Sequence, residues 1–191
     1  MNQNRNRRFQ KTEQRIQDYA MELLKSDPDT VLTVSAICEG LPINRSSFYL
    51  HYKDVQDVLD DLLLRFHAEH MELIHKENVF DAESPLRAAL NLSINFLIKN
   101  ESFYRYYFDH CEYSPLVGSC AEECLELLMP PYETHAGLSE LQLLYLKEFI
   151  QAGNWAVMKR WLNNDKTDSI KELCTLFFAV TGHLEPVNAR N

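Results

Sequence analysis

A short stretch in the first third of this chain concentrates hydrogen-bond donors. It reads NRSSFYLHYK from Asn44 to Lys53, and its candidate contact residues are Arg45, Ser46, Ser47, Tyr49, His51 and Lys53. Arginine can donate two hydrogen bonds to one guanine, while serine, tyrosine, histidine and lysine side chains bond phosphate oxygens or base edges. These residue types at this spacing predict a surface that recognises nucleic acid.

Two short helices joined by a tight turn are needed to position these side chains. Thr33 and Asn44 are suited to N-cap helices over about residues 34–39 and 45–52. Later helices are expected to be capped by Asp54, by Ser139 and by Thr167 or Asp168. Four apolar residues of the two helices have the spacing to face a common core, namely Val34, Ile37, Phe48 and Tyr52. The remaining side chains of the second helix are then expected to point outward. The pattern predicts a helix-turn-helix.

The same stretch resembles the DNA-binding head of the TetR family of bacterial one-component regulators. The matching residues are Thr33, Ile37 and INRSSFYLHYKD from Ile43 to Asp54, roughly the core of a head that spans a quarter of the chain. The resemblance implies an all-helical homodimer whose two recognition helices enter major grooves of a palindromic operator. Carried over position by position, it implies DNA contacts at Thr33, Arg45, Ser46, Ser47, Tyr49, His51 and Lys53.

Two residues depart from the family pattern. Pro42 stands where the family usually has glycine, and proline cannot adopt the positive φ that such a turn often uses. Gly40 is therefore expected to serve as the C-cap of the first short helix. Val55 stands where the family often has a lysine, so phosphate binding is expected to depend more on Lys53 and on the N-terminal arginines.

Composition favours an all-α fold for the whole chain. The 191 residues are 46% hydrophobic, with 5 glycines and 7 prolines, and helical apolar spacing predicts about nine helices. Residues 1–54 carry eight basic and seven acidic side chains, a net charge of +1. Because the whole chain has a net charge of −9, residues 55–191 have a net charge of −10. A near-neutral head on an acidic body is typical of a protein that meets phosphates only through its head.

The helical pattern predicts two domains. Residues 1–54 are expected to form a three-helix DNA-binding head, and residues 55–191 a helical body for dimerisation and effector binding, with a long helix over 55–76 linking them. Residues 1–8 form a polar, arginine-bearing tail, which is either a disordered end or an arm that reaches DNA.

Two parts of the body are candidate binding surfaces. The aromatic segment from Ser102 to His110 is apolar on nearly every side, which fits either a plain core or the lining of a ligand pocket built by Phe103, Tyr106, Tyr107 and His110. Small and apolar residues near the C-terminus predict a four-helix dimer interface that includes Phe149, Ala152, Gly153, Ala156, Leu173 and Phe177. Trp155 and Trp161 fit this interface and an intrachain core equally well.

The cysteines give weak signals. There are 5, and neither a signal peptide nor a membrane span is apparent, so the chain is expected to be cytoplasmic with reduced thiols. Four residues invite a metal or thiol-sensing interpretation, namely His110, Cys111, Cys120 and Cys124. Because no CxxC pair is present, buried cysteines are favoured, and neither a metal nor a cofactor is predicted. The histidines at 67, 70 and 75, with Glu69 and Glu72, are interpreted as solvated surface.

Three functions compete at this point. The favoured one is a transcriptional regulator, with repression favoured over activation, whose partners are double-stranded operator DNA, a second copy of the chain and an unknown small-molecule effector. A helical enzyme is disfavoured because the sequence holds no Ser-His-Asp elbow, no HExxH and no glycine-rich phosphate loop. The third is a helical module whose head binds protein. Helices that merely pack, with Tyr49 and His51 as ordinary surface, are the simplest alternative.

Overall fold

The computed structural model describes residues 3–27, 29–79, 82, 85–111, 114–128, 139–164 and 169–181 of the chain. Within these ranges the backbone forms nine helices and no strand, so the predicted all-α class is confirmed. In chain order the helices are α1 (Gln3–Ser26), α2 (Val34–Gly40), α3 (Arg45–Phe48), α4 (Val55–Lys76), α5 (Pro85–Lys99), α6 (Glu101–His110), α7 (Pro115–Leu128), α8 (Glu140–Asn163) and α9 (Ile170–Thr181).

Side-chain caps set several helix starts. The Asp54 carboxylate accepts a hydrogen bond from the Asp57 N–H at 3.0 Å, where α4 begins. Ser139 and Gln142 bond each other's backbone N–H groups in a capping box at the start of α8. Both caps were expected from the sequence and are confirmed. The caps expected at Thr167 or Asp168 lie outside the described residues, and Ser169 instead accepts from the Glu172 N–H at 3.3 Å.

The first helix is longer than expected. α1 begins at Gln3 rather than near residue 9, so most of the predicted polar tail is helical. Residues 1–27 include neither glycine nor proline, so no residue of this segment interrupts a helix once it has formed. A disordered end is therefore wrong for residues 3–8, which are helical, and the Arg7 and Arg8 side chains are exposed.

The chain divides into two compact units. The first comprises residues 1–66 and 102–111, and the second comprises residues 67–101 and 112–191. The long helix α4 contributes its beginning to the first unit and its end to the second. Because it also includes α6, the first unit is larger than the predicted head of residues 1–54. That residues 1–54 act as a DNA-binding head stays a prediction.

The first unit is built on one apolar core. Fully buried side chains come from several helices, among them Ile16 of α1, Ile37 of α2, Phe48 of α3 and Leu62 of α4. Each comes from the apolar face that the helical spacing of its own segment predicts. Burying such side chains is worth about 1.5–3 kcal/mol each, which is how helices as short as α2 and α3 are held in place.

The aromatic helix α6 packs against α4 within the first unit. The rings of Phe66 and Phe103 lie 4.9 Å apart, centroid to centroid. The Tyr107 hydroxyl donates to the Asp60 carboxylate at 2.9 Å, and the Leu32 N–H donates to the Tyr106 hydroxyl oxygen at 3.1 Å. Burial raises the pKa of Tyr106, with this backbone bond opposing the rise. These contacts make α6 a structural support of the first unit.

The second unit holds the end of α4 together with α5, α7, α8 and α9. α5 and α9 pack along each other, and the Cys174 thiol of α9 donates to the Asn91 side-chain oxygen of α5 at 3.2 Å. One core cluster joins Ile74, Val79 and Ala89. Trp161 is buried, which favours the intrachain core over the interface for this residue. Among the described helices, none is long and apolar enough to span a bilayer.

Candidate nucleic-acid interface

Both short helices of the predicted motif begin at the expected caps. The Thr33 hydroxyl accepts from the Ala36 N–H at 3.1 Å at the start of α2. The Asn44 side-chain oxygen accepts from the Ser47 N–H at 2.8 Å at the start of α3. Satisfying these otherwise unpaired N–H groups fixes where each helix begins. Residues 45–52 are called the recognition segment below, and their helix start is therefore set by the local sequence.

The turn between α2 and α3 is built around Pro42. The Ile43 N–H donates to the Leu41 carbonyl at 2.7 Å, which closes a three-residue turn with proline at its centre. An inverse γ-turn needs φ near −75°, close to the value that the proline ring imposes. This explains why a proline is tolerated at this position of the turn. Gly40 does not act as the expected C-cap, because Leu41 caps α2 in an extended conformation.

Gly40 has a different role from the predicted one. A Cβ added at this position would overlap the ring and hydroxyl of Tyr19 in α1. The absence of a side chain therefore permits α1 and α2 to approach closely at this point. This requirement fixes one contact between the helix that supports the motif and the motif itself.

The helix α3 ends earlier than expected but its path continues. Regular α-helix stops at Phe48, and the next turn is tightened by bonds from the Leu50 N–H to Ser47 and from the His51 N–H to Phe48, at 3.3 and 2.9 Å. Such i to i+3 bonds are typical of a last helical turn. The recognition segment over residues 45–52 is therefore one short helical rod that tightens at its end.

The outward face of this segment carries most of the predicted contacts. Arg45, Ser46 and Lys53 are exposed, and the Tyr49 side chain is 56% exposed while its ring meets the buried Phe48 ring edge to face at 5.6 Å. The Arg45 guanidinium donates to the Ser35 hydroxyl of α2. A guanidinium held this way has fewer orientations to lose when it binds. The face thus presents a cation, a phenol and hydroxyls together.

His51 does not lie on the outward face of the recognition segment. The sequence pattern predicts an outward side chain at this position, but the His51 side chain is only 8% exposed. Its ring lies 4.0 Å from the Phe9 ring, and its Nδ1 is 3.7 Å from the Glu13 carboxylate. Both partners belong to α1, and their packing against His51 is a long-range contact that local sequence pattern does not indicate. The structure therefore groups His51 with the helix that supports the motif, while Ser47 is half-buried.

Leu50 is an exposed residue of this surface that sequence reasoning missed. Its side chain is 74% exposed and follows directly after Tyr49. The signal was available, because Leu50 lies four residues after Ser46 and so shares its outward face. Apolar side chains at such positions contact thymine methyl groups in the major groove.

A buried polar network anchors the end of the recognition segment. The Tyr52 hydroxyl accepts from the Gln17 amide at 3.0 Å and donates to the Asp61 carboxylate at 3.1 Å. Arg65 donates to the Gln17 side-chain oxygen at 3.1 Å and to Asp18 at 3.0 Å. Burial raises the pKa of Tyr52 well above its ordinary value, so the phenol stays protonated. The network ties the segment to α1 and α4.

Replacing Tyr52 with phenylalanine is expected to destabilise the first unit by about 1–2 kcal/mol, because Gln17 and Asp61 each lose a buried partner. Urea unfolding followed by circular dichroism measures the change. The matched control is Tyr49→Phe, which removes an exposed hydroxyl and is expected to leave the free energy of unfolding unchanged. Equal stability of the Tyr52→Phe variant and the wild type would contradict the anchoring role.

The four residues predicted to line a ligand pocket are found in the first unit. Phe103, Tyr106 and Tyr107 are buried there, and the His110 ring stacks on Tyr106 with centroids 3.9 Å apart. A cavity of about 440 Å³ is instead found in the second unit, between α7 and α8. It is lined by Ser114, Pro115, Gly118, Ser119, Glu122, Leu144, Lys147, Glu148 and Gln151. None of the four predicted residues belongs to this cavity, and their role as ligand contacts stays a prediction.

The predicted dimer residues separate into two groups. One side of α8 exposes a row of apolar and small side chains at helical spacing, which we call the α8 stripe: Leu141, Tyr145, Phe149, Ala152, Gly153 and Ala156. Phe149 is 71% exposed, and a Cβ added at Gly153 would meet no atom within 4 Å. Leu173 and Phe177 of α9 are buried within the chain. The α8 stripe is therefore the exposed part of the predicted interface.

The predicted metal residues do not gather at one place. Cys111 donates its thiol hydrogen to Gln56 at 3.2 Å in the first unit, and the His110 Nδ1 lies 3.0 Å from the Tyr106 carbonyl. Cys120 and Cys124 belong to the second unit. Burial raises the pKa of Cys124 to about 12, and burial with the nearby His67 lowers the pKa of His70 to about 4. The sequence pattern predicts solvated surface for His67 and His70, but both residues are half-buried.

Comparison with known proteins gives a fold relationship. No protein-family model matches the sequence, and no curated protein matches it either. The chain is similar to the solved structure of the dihydroxyacetone kinase operon activator DhaS, with a TM-score of 0.57 at 18% identity. The match covers 91% of this chain and 96% of that one. At this level of identity the likeness establishes a shared all-helical fold.

Proposed function

We propose that this chain is a DNA-binding transcriptional regulator of the TetR type. The observation that carries the proposal is the pairing of an exposed donor face, Arg45, Ser46, Tyr49 and Lys53, with a rigid anchor behind it. Groove readers need both features, because the side chains must reach base edges while the helix holds their register against the phosphates. The fold shared with an operon activator supports the same proposal.

Each contact has a proposed role. Arg45 and Tyr49 read base edges, Ser46 and Ser47 bond bases or phosphate, and Lys53, whose side chain is 88% exposed, pairs with phosphate. Thr33 is exposed where α2 begins and lies next to backbone N–H groups that suit a phosphate. His51 acts through α1 by positioning the segment.

A symmetric dimer is part of the proposal. The α8 stripe offers an apolar surface in which small residues permit a second helix to approach, and such exposed apolar rows mark interfaces between proteins. Two copies of the chain would place their recognition segments about 34–36 Å apart, one helical turn of DNA. This predicts an operator made of two inverted half-sites.

Effector control is assigned to the cavity between α7 and α8. Its volume suits a small molecule, and it is lined by the ion pair between Lys147 and Glu122, whose charged atoms are 2.9 Å apart. The same helix α8 carries the stripe, so a ligand here acts on the dimer through one helix. A bound ligand shifts DNA affinity only by its differential affinity for the two states of the dimer. We propose repression released by this ligand, which a promoter-fused reporter distinguishes from activation.

Selection from a library of randomised duplexes tests the proposal. The purified full chain is expected to enrich an inverted repeat and to bind it with an affinity that falls steeply with salt, because phosphate contacts release counterions. A module that binds protein would give no enriched sequence and no steep salt slope. Failure to enrich any sequence would overturn the proposed function.

A further inference from the structure

Three soft donor atoms converge in the second unit, on α4 and α7. The Cys124 Sγ lies 3.8 Å from the His70 Nδ1 and 3.7 Å from the Met71 Sδ. All three side chains are half-buried. Cys124 lies more than fifty residues from the adjacent pair His70 and Met71, so its meeting with them is a product of the fold.

A serine on α5 fixes which nitrogen of His70 faces the thiol. The Ser93 hydroxyl donates its single hydrogen to the Ala89 carbonyl at 2.8 Å. Its oxygen therefore accepts from the His70 Nε2, which lies 2.9 Å away and must carry the ring hydrogen. The Nδ1 is then left with its lone pair on the side of Cys124. Metal-binding histidines are oriented in this way by a hydrogen bond to their second nitrogen.

The Cys124 thiol has more hydrogen-bond acceptors beside it than it has hydrogens to donate. The Cys124 thiol has one hydrogen, yet it lies beside two acceptors at nearly equal distance, the His70 nitrogen and the Met71 sulfur. For a three-coordinate metal with bonds of about 2.0 Å to nitrogen and 2.3 Å to sulfur, neighbouring donors stand about 3.7–4.0 Å apart. The two observed separations agree with that geometry.

The chemistry of the donors selects the metal. Among the residues that the structure describes, no three His, Cys, Asp or Glu side chains form a metal-binding group. The third potential donor beside His70 and Cys124 is the Met71 thioether. The nearby Glu123 carboxylate is paired with His67 at 2.7 Å. Zinc sites are completed by histidine, cysteine or carboxylate, whereas thiolate with thioether selects copper(I).

We propose that His70, Met71 and Cys124 form a copper(I) site. On binding, the Cys124 S–H bond breaks, the sulfur bonds the metal, and the proton is released to water without any change of oxidation state. Cys120 lies one helical turn before Cys124 and is the nearest further thiol along α7. The site does not depend on the proposed DNA binding, because every residue in it belongs to the second unit.

Anaerobic titration of the full chain with copper(I), in competition with bicinchoninate, tests this proposal. One metal ion per chain is expected, and Cys124→Ser and Met71→Leu are each expected to weaken binding at least about tenfold. Met71→Leu preserves side-chain volume, so it separates lost ligation from lost folding. The matched controls are Cys174→Ser and Met158→Leu, buried residues of the same unit that lie outside the site and are expected to bind copper(I) as the wild type does.

Ser93→Ala gives an independent readout. It removes only the group that orients His70, and losses of about 10–100-fold in metal affinity are typical of such changes. X-ray absorption of the loaded protein is expected to report a three-coordinate copper with nitrogen and sulfur neighbours. Wild-type affinity in both Cys124→Ser and Met71→Leu would overturn the site. Because Arg45→Ala is expected to retain copper(I) binding, failure here and failure of DNA binding are separately visible.

Discussion

Replacing Arg45 with alanine is expected to lower operator affinity by about 30-fold or more while leaving the protein folded. A bidentate arginine–guanine contact is worth about 1–3 kcal/mol, and a symmetric dimer makes it twice, so the loss is about 2–6 kcal/mol. Arg45 is exposed and its protein contact is a surface bond to Ser35, so stability should change by less than about 0.5 kcal/mol. Fluorescence anisotropy on a selected duplex measures the affinity.

Two further variants separate charge from geometry. Arg45→Lys keeps the charge but loses the planar fork, and it is expected to retain the salt slope while losing preference for the guanine. Lys99→Ala removes one positive charge from an exposed position of α5 and is expected to bind as the wild type does. Wild-type affinity in both Arg45 variants would exclude this residue from base recognition.

Replacing Phe149 with glutamate is expected to convert the proposed dimer into monomers. The substitution removes one apolar side chain of the α8 stripe and inserts a carboxylate in its place. Losing about 2 kcal/mol of burial at each of two symmetric positions raises the dissociation constant about a thousandfold, before the cost of burying the new charge. Sedimentation equilibrium measures the dissociation constant, and operator affinity is expected to fall with it.

The matched control for the stripe is Val31→Glu. Val31 is 67% exposed, close to the value for Phe149, and it belongs to the first unit, whereas α8 belongs to the second. It receives the same new charge and is expected to remain dimeric. A Phe149→Glu protein that sediments like the Val31→Glu protein would place the interface on another surface.

Local signals made part of this structure predictable. The caps at Thr33, Asn44, Asp54 and Ser139 were correctly located because a capping side chain and the N–H it serves are two or three residues apart. Phe48 and Tyr52 were correctly assigned to the core because their spacing alone puts them on one face.

Non-local packing explains what sequence reasoning did not find. The inward turn of His51 depends on its packing against Phe9 and Glu13 of α1, which lie about forty residues away in the sequence. The helical pattern of α9 marks Leu173 and Phe177 as apolar, but only the packing of α9 on α5 decides that they are buried within the chain.

The cysteines illustrate the same limit. Sequence proximity suggested grouping Cys124 with Cys111 and His110, whereas its partners in the fold are 54 and 53 residues away. Methionine and serine were not considered as participants, because neither residue marks a metal site until a fold places it beside a thiol and an imidazole. Closeness in sequence therefore pointed to the wrong partners for Cys124.

Hydroxyl-radical footprinting of the full chain on a selected duplex tests whether two recognition segments bind one operator together. Two protected regions are expected, related by a two-fold axis and centred about 34–36 Å apart, because paired recognition segments occupy successive major grooves on one side of the duplex. Protection of both regions should disappear together in the Arg45→Ala protein. A single protected region, or one unchanged by Arg45→Ala, would contradict the account.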